Sequence, residues 1–412
     1  MGVNCPDENR EIGYCLQPQP QWTEMRMPIE PDTKSERLYS LDCLRGLAAL
    51  SVVFWHWQHF FFVGATLQNF DVAKLPAFGI TLPFYTRGYL AVQLFFTLSG
   101  FIFYRLYSAP IEQRTIRFHR FTVLRLSRLY PLHLLTLAVV AAGQMWRHYA
   151  TGSYFIYPYN DSYHLFLNMF IASSWGMERG YSFNAPIWSV SVEVLLYVLF
   201  FIICRYGVAR LATATVLSAL GTLFVGKIYA PLGDGITCFF LGGVAAIVCA
   251  HILSSPHRRL YARILILLCA ALWLFTIAAI YSWIELSWLS ARLTPRLFNA
   301  FVQWLPVLFL FPLTVLALAI AETLYGSIGK RLAWLGNISY SSYLWHFPLQ
   351  LFAATAASLA GYAPSIFYDP STMALFFLTL IVVSLGSYYL FEMPMQRHLR
   401  MHGSRQPAVS AA

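Results

Sequence analysis

The residues best suited to chemistry in this sequence share one apolar stretch. Leu41 to Phe62, LDCLRGLAALSVVFWHWQHFFF, carries Asp42 and Arg45 near one end and His56 and His59 near the other. A basic side chain inside a bilayer-length apolar run is costly, so it usually faces a bundle interior or a water-filled cavity. Arg45 and His56 are eleven residues apart. On one helix they project from nearly the same face, roughly 16 Å apart along the axis. Such a face offers an anion-binding fork low down and a titratable base higher up. A structural reading stays open beside it: Arg45 snorkelling to the headgroups, His56 bonding a neighbouring helix.

Other polar residues interrupt apolar runs further on. In AVQLFFTLSGFIFY, Ser99 and Gly100 let either a neighbouring helix or a thin ligand approach closely. In IEQRTIRFHRFTVLRLSRLYP, a single helix over 114–128 puts Arg114, Arg117, Arg125 and Arg128 within an arc of roughly 80°, with Arg120 off it. That stripe suits either a polyanionic ligand or anionic lipid. Glu193 is the lone charge in WSVSVEVLLYVLFFIIC and needs a partner, in a salt bridge or a functional pair. It enters its span by roughly 9 Å from one side, and His56 rises roughly 22 Å from the other. In a hydrocarbon core of about 30 Å the two reach similar levels and could meet. His346, in SYSSYLWHFPL, reads as a structural or cavity-lining group, and Glu392 as a partner for Arg45 or Arg128.

These residues need long apolar helices to hold them, and the composition supplies them. The 412 residues are 58% hydrophobic and only 11% charged, which indicates an all-α, polytopic membrane protein rather than a soluble enzyme. The net charge of +10 does not point to nucleic acid, because the basic residues sit between apolar runs. Cys204, Cys238, Cys249 and Cys269 lie in apolar runs without metal-ligand spacing, so neither a disulfide framework nor a metal site is expected.

About ten spans are expected, near 41–63, 86–106, 123–145, 185–204, 208–226, 235–253, 261–282, 298–321, 338–358 and 372–391. The run 163–175 is too short to span. Residues 1–38 are polar, without a signal-peptide core, and are expected to form a disordered cytoplasmic tail. The transmembrane domain then covers 39–397, and 398–412 forms a second short cytoplasmic tail. Twenty-one of the 28 Lys and Arg fall on the side of the termini, which places both termini in the cytoplasm.

Arg45 and His56 with ten residues between them, then FFTLSGF, RLSRLYP, WSVSVE and SYYLFEMP in that order, resemble the acyltransferase-3 integral membrane acyltransferases. The resemblance runs from residue 41 to about 397. It implies a plasma-membrane enzyme that moves an acyl group, commonly acetyl, from cytoplasmic acyl-CoA to a hydroxyl of a carbohydrate or glycoconjugate. By resemblance Arg45 and His56 are the family's signature pair, and Arg125 and Arg128 its basic pair. Some members add an extracytoplasmic SGNH-type domain, and none is expected here. On this reading Arg125 and Arg128, with Arg114 and Arg117, hold the CoA phosphates. The pantetheine arm passes Arg45 and the Ser99–Gly100 surface. His56 takes the acceptor's proton, and Glu193 orients it. The competing reading is an exporter of a lipid-linked or acidic sugar, which buried Arg, His and Glu would also suit. Exporters commonly show repeats or broken helices in matching halves, and no repeat is evident.

The charge split makes a direct prediction about topology. Reporter fusions at Glu30 and Arg405 are both expected to report cytoplasm, and an extracytoplasmic signal from either would break the even span count.

Overall fold

A computed structural model describes residues 37–225, 228–284, 287 and 292–403. The expected N-terminal tail lies outside the described residues except for its last two positions, and so do residues 404–412. The described chain is all-α apart from a two-residue antiparallel pair, Phe62–Val63 with Thr66–Leu67. Its helices are α1 (Tyr39–Trp55), α2 (Phe78–Arg87), α3 (Ala91–Glu112), α4 (Phe118–Thr151), α5 (Ser162–Met169), α6 (Trp188–Arg205), α7 (Leu211–Val225), α8 (Ala230–Ser254) and α9 (Arg258–Ile280). After these come α10 (Pro295–Leu305), α11 (Phe311–Tyr325), α12 (Ala333–Asn337), α13 (Ser339–Leu359), α14 (Pro370–Ser387) and α15 (Met393–Gly403). The last helix runs past residue 397, so the expected boundary of the C-terminal tail falls inside it.

Among the described residues seven helical segments are long and apolar enough to cross a bilayer, which makes this a polytopic membrane protein. Three of the ten expected spans fall to helices that are short or polar. α7 has 15 residues. α13 has 21 but carries Ser339, Ser341, Ser342, His346 and Gln350 on buried faces. α1 has 17, because the α-helix expected to run to Phe62 stops at Trp55. From His56 to Phe61 the backbone tightens to a 3-10 turn that buries Trp57, His59, Phe60 and Phe61. Side chains bond the chain there: Gln350 Nε2 donates to the His56 carbonyl at 2.8 Å, and Trp57 Nε1 donates to the Phe367 carbonyl at 2.9 Å.

At its other end α1 has no side-chain cap of its own. Glu322 of α11 provides one from across the bundle. Its carboxylate accepts from the Tyr39 and Ser40 amides at 2.9 and 2.8 Å and from the Ser40 hydroxyl at 2.6 Å. A carboxylate here satisfies orphan N–H groups and meets the positive end of the helix dipole. Just above, α1 touches α12 backbone to backbone. A Cβ on Gly46 would fall 2.5 Å from Leu335 Cβ, and one on Gly336 would fall 2.4 Å from the Asp42 carbonyl oxygen.

The pairing of α3 with α8 uses the same device. A Cβ on Gly100 would sit 1.8 Å from the Phe239 carbonyl oxygen, and one on Gly242 would sit 2.0 Å from that of Thr97. Small residues are what let membrane helices approach this closely. Gly100→Ala is therefore expected to lower stability by about 1–3 kcal/mol through overpacking. Gly386→Ala is the control, since its Cβ would meet nothing within 4 Å, and helix propensity favours it by roughly 0.5–1 kcal/mol. Thermal unfolding in detergent micelles would compare the two. Equal midpoints would contradict this account of the α3–α8 contact.

Candidate active site

Five helices converge on a cavity of about 130 Å³. α1 brings Arg45, α3 brings Ser99 and Phe103, and α4 brings Arg125 and Arg128. α6 brings Ser189, Glu193 and Tyr197, and α13 brings Ser339, Tyr340 and Tyr343. On α6 the three polar residues recur every four positions, so they form one stripe.

Arg45 does not snorkel. Its Nε donates to Ser339 Oγ at 3.0 Å, and its Nη2 donates to the Gly336 carbonyl at 2.8 Å and to Asp42 Oδ1 at 2.9 Å. It brackets α1 to the α12–α13 corner while lining the cavity. Arg125 is caged by rings, its guanidinium carbon 4.4 Å from the centre of Phe103 and 5.2 Å from that of Tyr197. Cation–π contact stabilises a desolvated arginine without consuming its donors. Its Nε is buried with no hydrogen-bond partner, a donor left for a ligand. Glu193 accepts from the Ser99 hydroxyl. Three arginines, Glu193 and several hydroxyls thus face a single small cavity.

Three expected donor-site residues are not part of it. Arg114 and Arg117 were expected on one helix with Arg125 and Arg128. Instead α3 ends at Glu112, and Arg114 sits in a left-handed turn at φ 60°. Arg117 is extended, at ψ 157°, just before α4. The stripe of four therefore reduces to Arg125 and Arg128. Gly100 is the third correction. A residue advances 100° around a helix, so while Ser99 faces the cavity Gly100 faces α8.

His56 and Glu193 were expected to meet, and the structure gives them different partners. The His56 ring lies beside two other imidazoles, His59 at 4.5 Å and His346 at 5.0 Å between centroids. Gln350 ties this group together. Its Nε2 is held by the His56 carbonyl, so its Oε1 accepts from His59 Nδ1 at 3.0 Å. His346, expected to be a cavity-lining or structural group, thus belongs to the histidine cluster. Its Nδ1 lies 2.6 Å from the Tyr343 carbonyl oxygen. Tyr343 connects the two groups, since its ring lines the polar cavity and lies 5.9 Å from that of His346. Glu392 accepts from the Ser341 hydroxyl and lies within electrostatic reach of Arg128, one of the two partners expected.

The helix that carries His346 is held by a consequence of its own sequence. Pro348 lacks an N–H, which leaves the Leu344 carbonyl without its helical donor. Asn184 fills the vacancy, its Nδ2 donating to that carbonyl at 3.0 Å. Tyr343 Oη adds a bond to the Pro186 carbonyl at 2.7 Å and pairs with Ser189 Oγ at 2.9 Å. Sequence reasoning passed over Tyr197, Ser339, Tyr340, Tyr343 and Gln350. A signal was there: Ser339, Tyr343, His346 and Gln350 are spaced four, three and four apart, one helical face of polar groups in an apolar span.

A larger cavity of about 710 Å³ lies on another face of α1, lined by Leu44, Leu47, Trp273 and Phe275 among others. Among the described residues that line it, Arg87 is the charged one. The smaller cavity is the candidate site because the ionisable side chains converge there and not in the larger one.

The chain matches the family described as an acyltransferase domain over residues 38–392, and it belongs to that family, the acyltransferase-3 proteins. Membrane acyl transfer is the activity of its class. Over 328 residues it is 26% identical to a protein of Acidianus two-tailed virus named as an acetyltransferase, ORF330, covering 78% of this chain and 86% of the relative. Over 330 residues it is 26% identical to a Komagataeibacter xylinus protein named as a membrane-bound transacylase, BcsY, covering 74% and 75%. A shorter match, 38% identical over 107 residues, is to protein 2 in the picA locus of Rhizobium radiobacter; it spans 26% of this chain and under half, 46%, of that relative. No solved structure matches the chain.

The neighbours of His56 can be tested by crosslinking. In a cysteine-depleted background, the pair His56→Cys with His346→Cys is expected to join with a short bifunctional reagent. The pair His56→Cys with Glu193→Cys is expected not to. The reverse pattern would restore the pairing anticipated from depth alone.

Proposed function

We propose that this protein is a plasma-membrane O-acyltransferase that uses cytoplasmic acyl-CoA, acetyl-CoA above all, and acylates a hydroxyl of a carbohydrate or glycoconjugate. The observation that carries the proposal is the shared cavity of Arg45, Ser99, Arg125, Arg128 and Glu193, which adjoins the histidine cluster through Tyr343. Family membership supports the acyl-transfer step. The donor and acceptor classes come from the resemblance already drawn, and the arginines of the cavity suit an anionic donor. Both termini are cytoplasmic in this reading, which puts Arg125 and Arg128 towards the CoA side.

Arg125 and Arg128 hold the anionic end of the donor by charge-assisted hydrogen bonds, the unpartnered Arg125 Nε being one free donor. The thin pantetheine arm runs past Ser99, Tyr343 and Arg45. His346 lies three residues beyond Tyr343 on α13, or roughly 4.5 Å along the axis, so the thioester reaches His56 within about a turn. His56 removes the proton of the acceptor hydroxyl, whose oxygen bonds to the thioester carbon. The C–S bond breaks, and His56 returns the proton to the departing thiolate. Glu193 acts on the donor side of this scheme, through Ser99 and the arginines, rather than on His56.

Purified protein in nanodiscs with acetyl-CoA provides the test, read as release of free thiol and label transfer to added oligosaccharide. Arg125→Ala and Arg128→Ala are each expected to lose roughly 1.5–3 kcal/mol of donor binding, about ten- to hundredfold in affinity. His56→Ala is expected to bind acetyl-CoA normally and lose transfer by at least about a hundredfold. Unchanged acetyl-CoA affinity in a folded Arg125→Ala/Arg128→Ala protein would overturn the donor assignment.

A further inference from the structure

A general base needs something to orient it, and the carboxylate expected to do so bonds elsewhere. The histidine cluster contains a substitute. Two of its ring nitrogens are buried without a hydrogen-bond partner, His56 Nδ1 and His346 Nε2, and they belong to adjoining rings. Buried polar nitrogens are seldom left unpaired, and two together call for a common explanation.

The tautomer of His346 follows from its neighbour. A carbonyl oxygen only accepts, so the 2.6 Å contact with Tyr343 places the proton on His346 Nδ1. The neutral ring must then present a lone pair at Nε2, and His346 is wholly buried. The ring geometry suits a partner there. The planes of His56 and His346 differ by 20° and their centroids are 5.0 Å apart, wider than face-to-face contact. The two nitrogens do not bond each other as the rings stand, so a shift of the His56 ring is what brings Nδ1 onto Nε2.

We propose that His346 is the positioning residue of the acyl-transfer base: its Nε2 accepts the His56 Nδ1 proton when substrate seats the ring. A relay results, from the Tyr343 carbonyl through His346 to His56. It holds His56 as the Nδ1–H tautomer, whose Nε2 lone pair faces the acceptor hydroxyl. His56 as a residue is only partly buried, and in this proposal the acceptor hydroxyl approaches its Nε2. The hydroxyl proton passes to His56 Nε2 as the C–O bond forms, and the imidazolium is stabilised through Nδ1 by the His346 lone pair. The proton then leaves with the thiolate when the C–S bond breaks, and His346 ends as it began. The inference rests on the acyl-CoA reading above and adds to it a residue that never touches substrate.

Two substitutions separate this role from packing. In His346→Asn the amide nitrogen replaces Nδ1, keeping the bond to the Tyr343 carbonyl while removing the acceptor at Nε2. In His346→Gln the amide oxygen reaches the Nε2 position and can accept from His56. With acetyl-CoA as donor and added oligosaccharide as acceptor, His346→Asn is expected to lower kcat about a hundredfold with acetyl-CoA affinity unchanged. His346→Gln is expected to recover part of that loss. Wild-type kcat in His346→Asn would overturn the proposal, as would loss of acetyl-CoA binding in both variants, which marks a structural residue. Absence of thiol release by the unmodified protein would instead defeat the acyl-CoA reading itself.

Discussion

Everything in the candidate site depends on how α1 is held at its two ends. Its first amides have no cap of their own and are bound by the Glu322 carboxylate. Beyond its last residue the chain passes into a 3-10 turn at His56, whose carbonyl accepts from the Gln350 amide. Between these points Gly46 and Gly336 bring the backbones of α1 and α12 into contact. In a bilayer no water relieves an unpaired backbone group, so such grips are obligatory. They also set the depth and rotation of the helix, and with them the places of Arg45 and His56.

The polar residues then divide into two groups with different electrostatic character. One gathers Arg45, Arg125, Arg128 and Glu193; Arg45 is paired with Asp42, whereas Arg125 is held mainly by aromatic rings. Arg125 alone of the three keeps a buried donor, Nε, without a partner inside the protein. The other group is a packed cluster of His56, His59 and His346 around Gln350. Neutral imidazoles are the form that a low-dielectric interior favours, and they are the form able to accept a proton. Tyr343 belongs to both, through its ring on one side and its carbonyl on the other.

In the proposed function this arrangement would separate binding from chemistry in space, with charge at one end and the histidines at the other. The glycine contacts of α3 with α8 and of α1 with α12 keep the intervening walls close.

Much of this was legible in the chain alone, for a physical reason. Burying an arginine, a histidine or a glutamate in hydrocarbon is costly enough that Arg45, His56, Arg125, Arg128 and Glu193 stand out against an apolar background. The motifs around them carry the family, and length and hydropathy carry the all-α membrane class. What only the tertiary structure decided was which way each helix is turned and where it stops. Ser99 and Gly100 are neighbours in sequence, yet one faces the cavity and the other α8. Arg114 and Arg117 left the arginine stripe because α3 and α4 are joined by a turn there. His56 lies beside His346 rather than Glu193, with its carbonyl bonded by Gln350, some three hundred residues away in the chain. Depth along a helix can be counted from the sequence, but rotation about its axis and the residue at which it ends are set by partners from distant positions.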